Sequence, residues 1–379
     1  MGTPITVQGT PDELEIVMAG LAPDLSTRWR AGVFASSGEI ELRDLEVSCQ
    51  GSLALLVGDT STSSRVTYGV GGGTFTCGRT FVLAVDVATG VPRWAHCAGP
   101  EVKYVGVAVQ GSTVAVAGKI VSDSTGDDGY VELFDAAGNL TGDVYTSGDG
   151  GDDKLELIAG VPSGGFVAGG NYDGEKVTGD DGMIYFVNDD RTAGGRTLMG
   201  SIGSASDDAV TAVAAAPDQV WIAGTLSGGG MLTWPAPSAS TGYSMDAFVG
   251  AAAPPGTSPD LIAGFASTLD HVVIRALDAG PGISIAGEYQ GDVIDDAGTT
   301  HPGGNGEWPF VARLDAGSAA VTHWLPLTDD TGTNGRVTSI TRLGGKTWLG
   351  GTWTGTLRAP GAAVLSADPD GFLIEVTGL

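Results

Sequence analysis

The sequence has 379 residues, enough for two or three average domains or for one large β domain. Its 18 Lys and Arg residues against 45 Asp and Glu residues give a formal net charge of −27, which excludes nucleic acid as a partner because the phosphate backbone would be repelled. Glycine is abundant at 63 residues, yet hydrophobic residues reach 42%, too many for a disordered chain, so we expect a folded protein rich in turns.

The start of the chain and its apolar stretches bear on the compartment. Met1 to Pro4 lack the basic and apolar segments of a secretory signal, and we expect that a native leader has been removed. No stretch approaches the ~20 consecutive apolar residues that a membrane span needs, so no membrane insertion is predicted.

The three cysteines are Cys49, Cys77 and Cys97, and their spacing matches no zinc site. Cys77 and Cys97 flank a predicted hairpin centred near Ala88, so antiparallel pairing would place them almost opposite each other. The sequence leaves two alternatives open, a Cys77–Cys97 disulfide or two buried thiols.

One short pattern recurs along the chain: an apolar strand that ends in Ala-Gly or a close equivalent. Consecutive copies are 51 to 64 residues apart. Before each copy lies an alternating segment with a turn, and after it come a loop and further strands. The glycines that end the six copies are Gly58, Gly118, Gly169, Gly224, Gly287 and Gly351.

Four short antiparallel strands per repeat are typical of β-propeller blades, because one such sheet cannot bury both faces and must stack on its neighbours. The predicted fold class is therefore all-β, a single β-propeller domain over residues 1–379, with seven four-stranded antiparallel blades. The alternative is six blades, with Arg28 to Val33 closing the ring as the outer strand of the last blade. The seven predicted blades span approximately residues 1–38, 39–100, 101–150, 151–205, 206–268, 269–330 and 331–379.

Two segments, residues 148–169 and 206–225, each join an acidic pair to a strand that ends in Ala-Gly. They resemble the repeat of secreted bacterial β-propellers, often called SBBP repeats. Other blades depart from this pattern: Glu101 alone stands where the acidic pair is expected in one, and Asn334-Gly335-Arg336 in another. The resemblance implies a secreted or cell-envelope bacterial protein of a surface or binding assembly, and it implies no particular reaction.

The candidate binding residues lie in the loops between the second and third strands (b and c) of each blade. These loops are predicted to be long, at residues 59–80, 119–129, 170–182, 225–244, 288–308 and 352–371. Because long loops on a rigid scaffold usually carry binding residues, this face is predicted to meet a polysaccharide or a surface protein. Aromatic rings there would suit sugar stacking or protein anchoring, unless they pack over the blade edges. The candidates are Tyr172, Trp234, Tyr243, Tyr289, Trp308 and Trp353.

Acidic residues recur just ahead of the predicted innermost strands. In a closed ring they would circle the mouth of the central channel, where crowded carboxylates suit Ca²⁺ or raise the local cation concentration. The alternative is that they hydrogen-bond turn backbone and keep the surface solvated, so no cofactor is required. The candidate metal ligands are Asp152, Asp153, Asp207, Asp208 and Asp270.

Catalytic motifs are scarce. The four histidines, His96, His271, His301 and His323, lie in no recognisable nucleophile or metal motif. The function predicted is a non-catalytic extracellular binding or structural module. The first alternative is a carbohydrate-active enzyme that uses two carboxylates at the channel mouth, and the second is a purely architectural surface protein.

Overall fold

The structure is a computed structural model in which all described regular elements are β-strands. The described residues are 15–22, 26–35, 40–48, 52–60, 64–68, 74–77, 79–121, 126–145, 152–172, 181–188, 196–202, 208–226, 246–253, 259–269, 271–280, 282–328, 334–343, 345–357 and 365–376. Within these ranges no helix has the length and apolar character to cross a membrane.

The strands are short, as the sequence predicts. The first thirteen are β1 Glu15–Leu21, β2 Thr27–Ala35, β3 Ile40–Val47, β4 Leu53–Thr60, β5 Ser64–Tyr68, β6 Thr74–Cys77, β7 Thr80–Asp86, β8 Pro92–Cys97, β9 Val102–Gln110, β10 Thr113–Ile120, β11 Asp128–Asp135, β12 Leu140–Tyr145 and β13 Lys154–Gly160. The others are β14 Phe166–Tyr172, β15 Asp181–Val187, β16 Arg196–Ile202, β17 Asp208–Ala215, β18 Val220–Leu226, β19 Ala247–Ala252, β20 Pro259–Ser267, β21 Val272–Gly280, β22 Gly282–Tyr289, β23 Val293–Asp295, β24 Thr300–His301, β25 Trp308–Leu314, β26 Val321–Pro326, β27 Asn334–Leu343, β28 Lys346–Leu357 and β29 Leu365–Val376.

The chain has an all-β propeller fold with six blades, each built on a meander of antiparallel strands. Their strand orders are β3-β4-β7-β8, β12-β11-β10-β9, β13-β14-β15-β16, β17-β18-β19-β20-β23-β24, β21-β22-β25-β26 and β27-β28-β29.

A seventh sheet, with order β1-β2-β5-β6, is not a blade of consecutive strands, and we call it the composite sheet. The hairpin β1–β2 is extended there by the hairpin β5–β6, which comes from between the second and third strands of the following sheet. The prediction of seven blades is therefore not supported. The alternative of six blades has the observed count, but its predicted closure of the last blade by Arg28 to Val33 is wrong, because β2 is paired with β1 on one side and β5 on the other.

The chain divides into two compact units. The first contains β1 to β13, and its sheets pack on each other through two apolar cores, one of which includes Leu56, Tyr68 and Phe81. The second contains most of the strands from β14 to β29, with one core around Trp221, Tyr289 and Phe310 and another around Val337 and Phe372. The strands in the middle of each blade, such as β7 and β10, are buried on both faces over most of their length. Sheets that stack on neighbours at both faces require this.

The repeated Ala-Gly has a structural cause. In five blades the innermost strand carries one extra residue, a β-bulge, opposite the repeat glycine. The bulge brings the backbone of the innermost strand close to the repeat glycine. A Cβ on Gly118 would overlap the carbonyl oxygen of Lys103, and a Cβ on Gly287 would overlap that of Val273. Only glycine leaves room for that approach. The extra residues at the five bulges are Arg43, Val105, Thr211, Arg275 and Thr338.

Tryptophans on β2 and β8 fix neighbouring sheets of the first unit. Trp29 Nε1 donates a hydrogen bond to the Val87 carbonyl (2.7 Å), and Trp94 Nε1 donates to the Ala136 carbonyl (3.1 Å). The Trp29 ring packs on Gly90 and the Trp94 ring packs on Gly138. Both glycines lie in turns and have positive φ, and their missing side chains make room for the indoles. The turns between third and fourth strands are thus held by their neighbours.

Cys77 and Cys97 form a disulfide with a Cα–Cα distance of 5.4 Å. The prediction that they lie opposite each other on one hairpin is wrong, since Cys77 ends β6 in the composite sheet and Cys97 ends β8 in the next sheet. The bond therefore joins two sheets of the first unit.

Two of the predicted long loops are folded hairpins. The loop at 59–80 contains β5 and β6, which extend the edge of β2, and the loop at 288–308 contains β23 and β24, which extend the edge of β20. In both places an inserted hairpin adds to the outer strand of the preceding sheet. These two loops are part of the scaffold rather than free binding loops.

Candidate functional site

Three of the six predicted aromatic ligands belong to the core. Tyr289 is fully buried, Trp308 is 8% exposed and Trp353 is 6% exposed, so the expectation of exposed rings is wrong for these residues. Tyr172 lies at the end of β14, with its side chain outside the described part of the structure, and Trp234 and Tyr243 lie outside the described residues altogether.

The cluster around Tyr289 explains this burial. The Tyr289 hydroxyl donates to the Pro302 carbonyl (2.9 Å), and its ring meets Phe310 edge-on at 5.7 Å between centroids. Phe310 in turn stacks on Trp324 at 4.4 Å. The sequence holds a signal for this, since Ile283, Ile285 and Tyr289 share one face of a strand with period two, and that face is apolar.

The predicted acidic ligands do not form a metal centre in the described structure. Asp152 Oδ1 accepts a hydrogen bond from the Asp127 amide (3.0 Å), while Asp153 and Asp208 are almost fully buried. Asp207 and Asp270 lie outside the described residues. Among the residues that the structure does describe, no three His, Cys, Asp or Glu side chains are grouped closely enough to hold a metal ion.

A buried carboxylate in the first unit is held by two phenols. Glu132 on β11 is 7% exposed and accepts hydrogen bonds from the hydroxyls of Tyr104 and Tyr130, the latter at 2.8 Å. His96 Nε2 from β8 lies 3.6 Å from the same carboxylate. Burial, followed by the charge of Glu132, raises the pKa of Tyr104 well above its usual range. Both phenols come from the same sheet as Glu132, so their hydrogen bonds hold the carboxylate within its own blade, and His96 is the contact from the neighbouring sheet.

A second buried carboxylate is bound by an arginine at a bulge. Glu288 on β22 is 1% exposed, and Arg275 Nε, at the bulge of β21, donates to both of its oxygens at 2.7 and 2.9 Å. Burial raises the pKa of Glu288, although Arg275, Arg336 and His271 act against that rise. The bulge re-aims Arg275 so that its guanidinium meets the carboxylate in a bidentate pair.

Two carboxylates on the innermost strand β3 have raised pKa values. Burial, with a contribution from Asp44, raises the pKa of Glu46 to about 7, and burial also raises the pKa of Asp44. The Asp44 carboxylate accepts hydrogen bonds from the amides of Val107 and Leu45, both at 2.8 Å. Because Asp44 and Glu46 are two residues apart on a strand, they share a face. This is the pair of described carboxylates best suited to acid–base chemistry.

A cavity lies among described residues of the second unit, on the side of the short turns. It has a volume of about 580 Å³ and is lined by the turn between β17 and β18, the turn between β21 and β22, and the turn between β25 and β26. Its apolar lining includes Trp221, Ile283 and Leu314. We call it the turn-side pocket, and its polar lining residues are Asp218, Gln219, Arg313, Asp315, Thr322 and His323.

The walls of the turn-side pocket are fixed by local hydrogen bonds. The Asp315 carboxylate accepts from the amides of Gly317 (3.0 Å) and Ser318 (2.9 Å) and from the Ser318 hydroxyl, and these bonds lower its pKa. Thr322 Oγ1 donates to the Arg313 carbonyl (3.1 Å). Gly282 has a φ of 145°, and a Cβ there would lie 2.9 Å from Arg313 Nη2. The backbone at Gly282 thus leaves the space that the Arg313 guanidinium occupies.

The pocket is not on the face that the sequence predicts, and its residues carry no motif. Asp218, Gly282 and Arg313 come from three turns or strands separated by tens of residues, so only the folded structure brings them together. The one signal in the sequence is the Asp-Ala-Gly turn at residues 315–317, which repeats the Asp-Ala turn at 135–136.

No known protein family matches the sequence, and no curated protein matches it either. The resemblance to secreted bacterial β-propeller repeats therefore stays a prediction. Among solved structures the chain is similar to BamB from Moraxella catarrhalis, with 12% identity, 88% of this chain and 87% of that chain covered, and a TM-score of 0.46.

Two further solved structures share this level of similarity. The Dos1 propeller has 10% identity, coverage of 95% and 92% and a TM-score of 0.46. An apocarotenoid oxygenase from Synechocystis has 8% identity, coverage of 98% and 94% and a TM-score of 0.42. At such identities and scores these likenesses carry no functional argument, and the functional proposal depends on this chain's own residues.

Proposed function

We propose that this protein is a non-catalytic, extracellular binding module that takes a protein partner at the turn-side pocket and needs no cofactor to do so. The observation that carries the proposal is the pocket itself, in which the turn between β25 and β26 is fixed by the Asp315 hydrogen bonds before any partner arrives. A preorganised pocket binds with little loss of conformational entropy.

The pocket lining favours a protein over a glycan. It combines the opposite charges of Asp218 and Arg313 with an amide and with the small apolar side chains of Ala216 and Pro217, a mixture typical of protein recognition. Besides His323, the lining includes one aromatic ring, that of Trp221. The Trp221 ring is fully buried, so it offers no surface on which a sugar would stack. A volume of about 580 Å³ suits a few side chains of a partner.

The disulfide supports the extracellular part of the proposal. Disulfides persist mainly in secreted and cell-envelope proteins, and Cys77–Cys97 joins two sheets of the first unit. The single closed domain over residues 1–379, its blade boundaries and a Ca²⁺ site at the acidic residues remain predictions.

The alternative of a carbohydrate-active enzyme has one observation in its favour, the pair Asp44 and Glu46. A carboxyl with a pKa of about 7 beside a second carboxyl suits a general acid. Release of reducing ends from a polysaccharide, lost in Glu46→Gln, would replace the binding proposal with this one.

The test introduces a bulky side chain that fills the pocket and compares its effect with that of the same substitution at a matched turn outside the pocket. Ala316 lines the pocket in an exposed turn, and Ala136 occupies the same position after Asp135 in a turn of the first unit. The probes are peptides selected from a random linear-peptide library on the wild-type protein. We expect Ala316→Trp to weaken their binding by at least about tenfold, and Ala136→Trp to leave it unchanged.

Both substitutions are at exposed positions, so equal unfolding temperatures serve as the folding control. Equal binding by the two variants, or no enriched peptide alongside clear binding on a glycan array, would overturn the proposal.

A further inference from the structure

Within the described residues, the last blade has three strands. In the second unit, the third strands β19 and β25 each pair with a fourth strand, β20 and β26. Strand β29 is the third strand of its blade and pairs with β28 along most of its length, but no strand of the described chain pairs with its outer edge. Its backbone amides and carbonyls on that side form a template for a further strand.

The second half of β29 has one charged residue, Glu375, and otherwise lacks the features that usually protect an edge. From Gly371 to Val376 the strand contains neither Pro nor Lys, and Leu373 projects with 53% exposure. The alternate residues Phe372 and Ile374 are buried in the core of the blade, so the strand is firmly held in register. The edge is therefore rigid, regular and partly apolar.

This fold already extends its sheets by adding strands at outer edges. Strand β5 adds to β2 through three residue pairs, and β23 adds to β20 through three residue pairs. In both places a short extended segment is enough, because the hairpin that carries it is anchored elsewhere. The same kind of addition at β29 would complete a four-stranded blade.

Charge indicates what the added strand carries. The β29 sequence holds Asp368, Asp370 and Glu375 and no basic residue, although Lys346 on β28 binds Glu375 at 2.8 Å. Two copies of a chain with a net charge of −27 repel each other, which argues against pairing between two β29 edges. A basic segment is attracted by the net negative charge of the whole molecule.

We propose that β29 accepts a basic, extended segment of a partner protein as a fourth antiparallel strand, with an apolar side chain packed against Leu373. This inference rests on the proposed binding function but uses a different surface from the turn-side pocket. Backbone hydrogen bonds supply the affinity, and the contact with Leu373 and the charge of the whole molecule supply the specificity.

The probe is a fluorescent peptide of alternating lysine and valine, measured by anisotropy on the full-length protein. In an added strand, the amides of alternate residues point to the same edge, so either the lysine or the valine amides face β29. We expect the peptide to bind. N-methylation of the set of amides that faces β29 is expected to weaken binding by at least about tenfold, and N-methylation of the other set is expected to leave it unchanged. A glutamate–valine peptide is expected not to bind.

The matched variants are Leu373→Lys and Leu140→Lys, since both leucines are 53% exposed and Leu140 lies on the fourth strand of a complete blade. Leu373→Lys is expected to abolish binding and Leu140→Lys to preserve it. Absent binding of the lysine–valine peptide, equal binding of both N-methylated forms, or equal effects of the two variants would overturn the proposal. Ala316→Trp is expected to bind this peptide normally, so failure of the pocket and failure of the edge are told apart.

Discussion

Replacing Arg275 with alanine is expected to lower the free energy of unfolding by about 3–5 kcal/mol, measured by urea denaturation at neutral pH. The substitution leaves the Glu288 carboxylate, which is 1% exposed, without its bidentate partner. A buried charge that loses its partner keeps its full desolvation penalty, so the loss greatly exceeds that of a surface pair.

The destabilisation by Arg275→Ala is expected to shrink as the pH falls. The pKa of Glu288 is raised by burial in the folded protein, and losing Arg275 raises it further because only Arg336 and His271 still favour the charged form. A folded-state pKa above the unfolded value means that stability decreases as the pH rises between the two values. At acidic pH, Glu288 is protonated in the variant and the penalty is relieved.

Arg43 provides the matched control, because it occupies the equivalent bulge on β3. Its partners Asp59 and Glu41 have side chains that are 18% and 60% exposed, so Arg43→Ala is expected to cost less than about 1 kcal/mol. Equal destabilisation by the two alanines would show that Glu288 is not a buried charge held by Arg275.

Gly118→Ala is expected to destabilise the protein by about 3 kcal/mol or more in the same urea experiment. A methyl group there would overlap the carbonyl oxygen of Lys103, so the bulge between β9 and β10 must shift. Gly142 on β12 is the control, since a Cβ there meets nothing within 4 Å.

Gly142→Ala is expected to be neutral or slightly stabilising, because it only reduces the freedom of the unfolded chain. If the two alanines had similar effects, the repeat glycines would not be explained by close backbone approach at the bulges. The same comparison applies to Gly287, where the opposing group is the Val273 carbonyl.

The sequence contains most of the fold in its local patterns. Alternating and apolar runs predicted the strands, and the spaced Ala-Gly copies predicted a propeller because each copy marks one blade. The composite sheet was missed because β2 pairs with β5, a partner from beyond the next two strands, and nothing in either strand specifies that choice.

The candidate site was much less predictable. Tyr289 and Trp308 lie in a predicted loop, yet the loop folds back as β23–β24 and buries both rings, an outcome set by tertiary packing. The turn-side pocket combines Asp218, Arg313 and His323 from distant parts of the chain, and their spacing in the sequence does not predict that they lie close together. The register of β22, read from Ile283 onward, is the local signal that places Tyr289 in the core.

The most direct test of the binding function is crosslinking from the pocket under native conditions. A photoreactive residue at position 218 is expected to crosslink a protein in the extracellular fraction of the producing organism, and Ala316→Trp is expected to abolish that crosslink. The same photoreactive residue at position 136 is expected to give none. Equal crosslinking from positions 218 and 136, or a crosslink that persists in Ala316→Trp, would contradict the account.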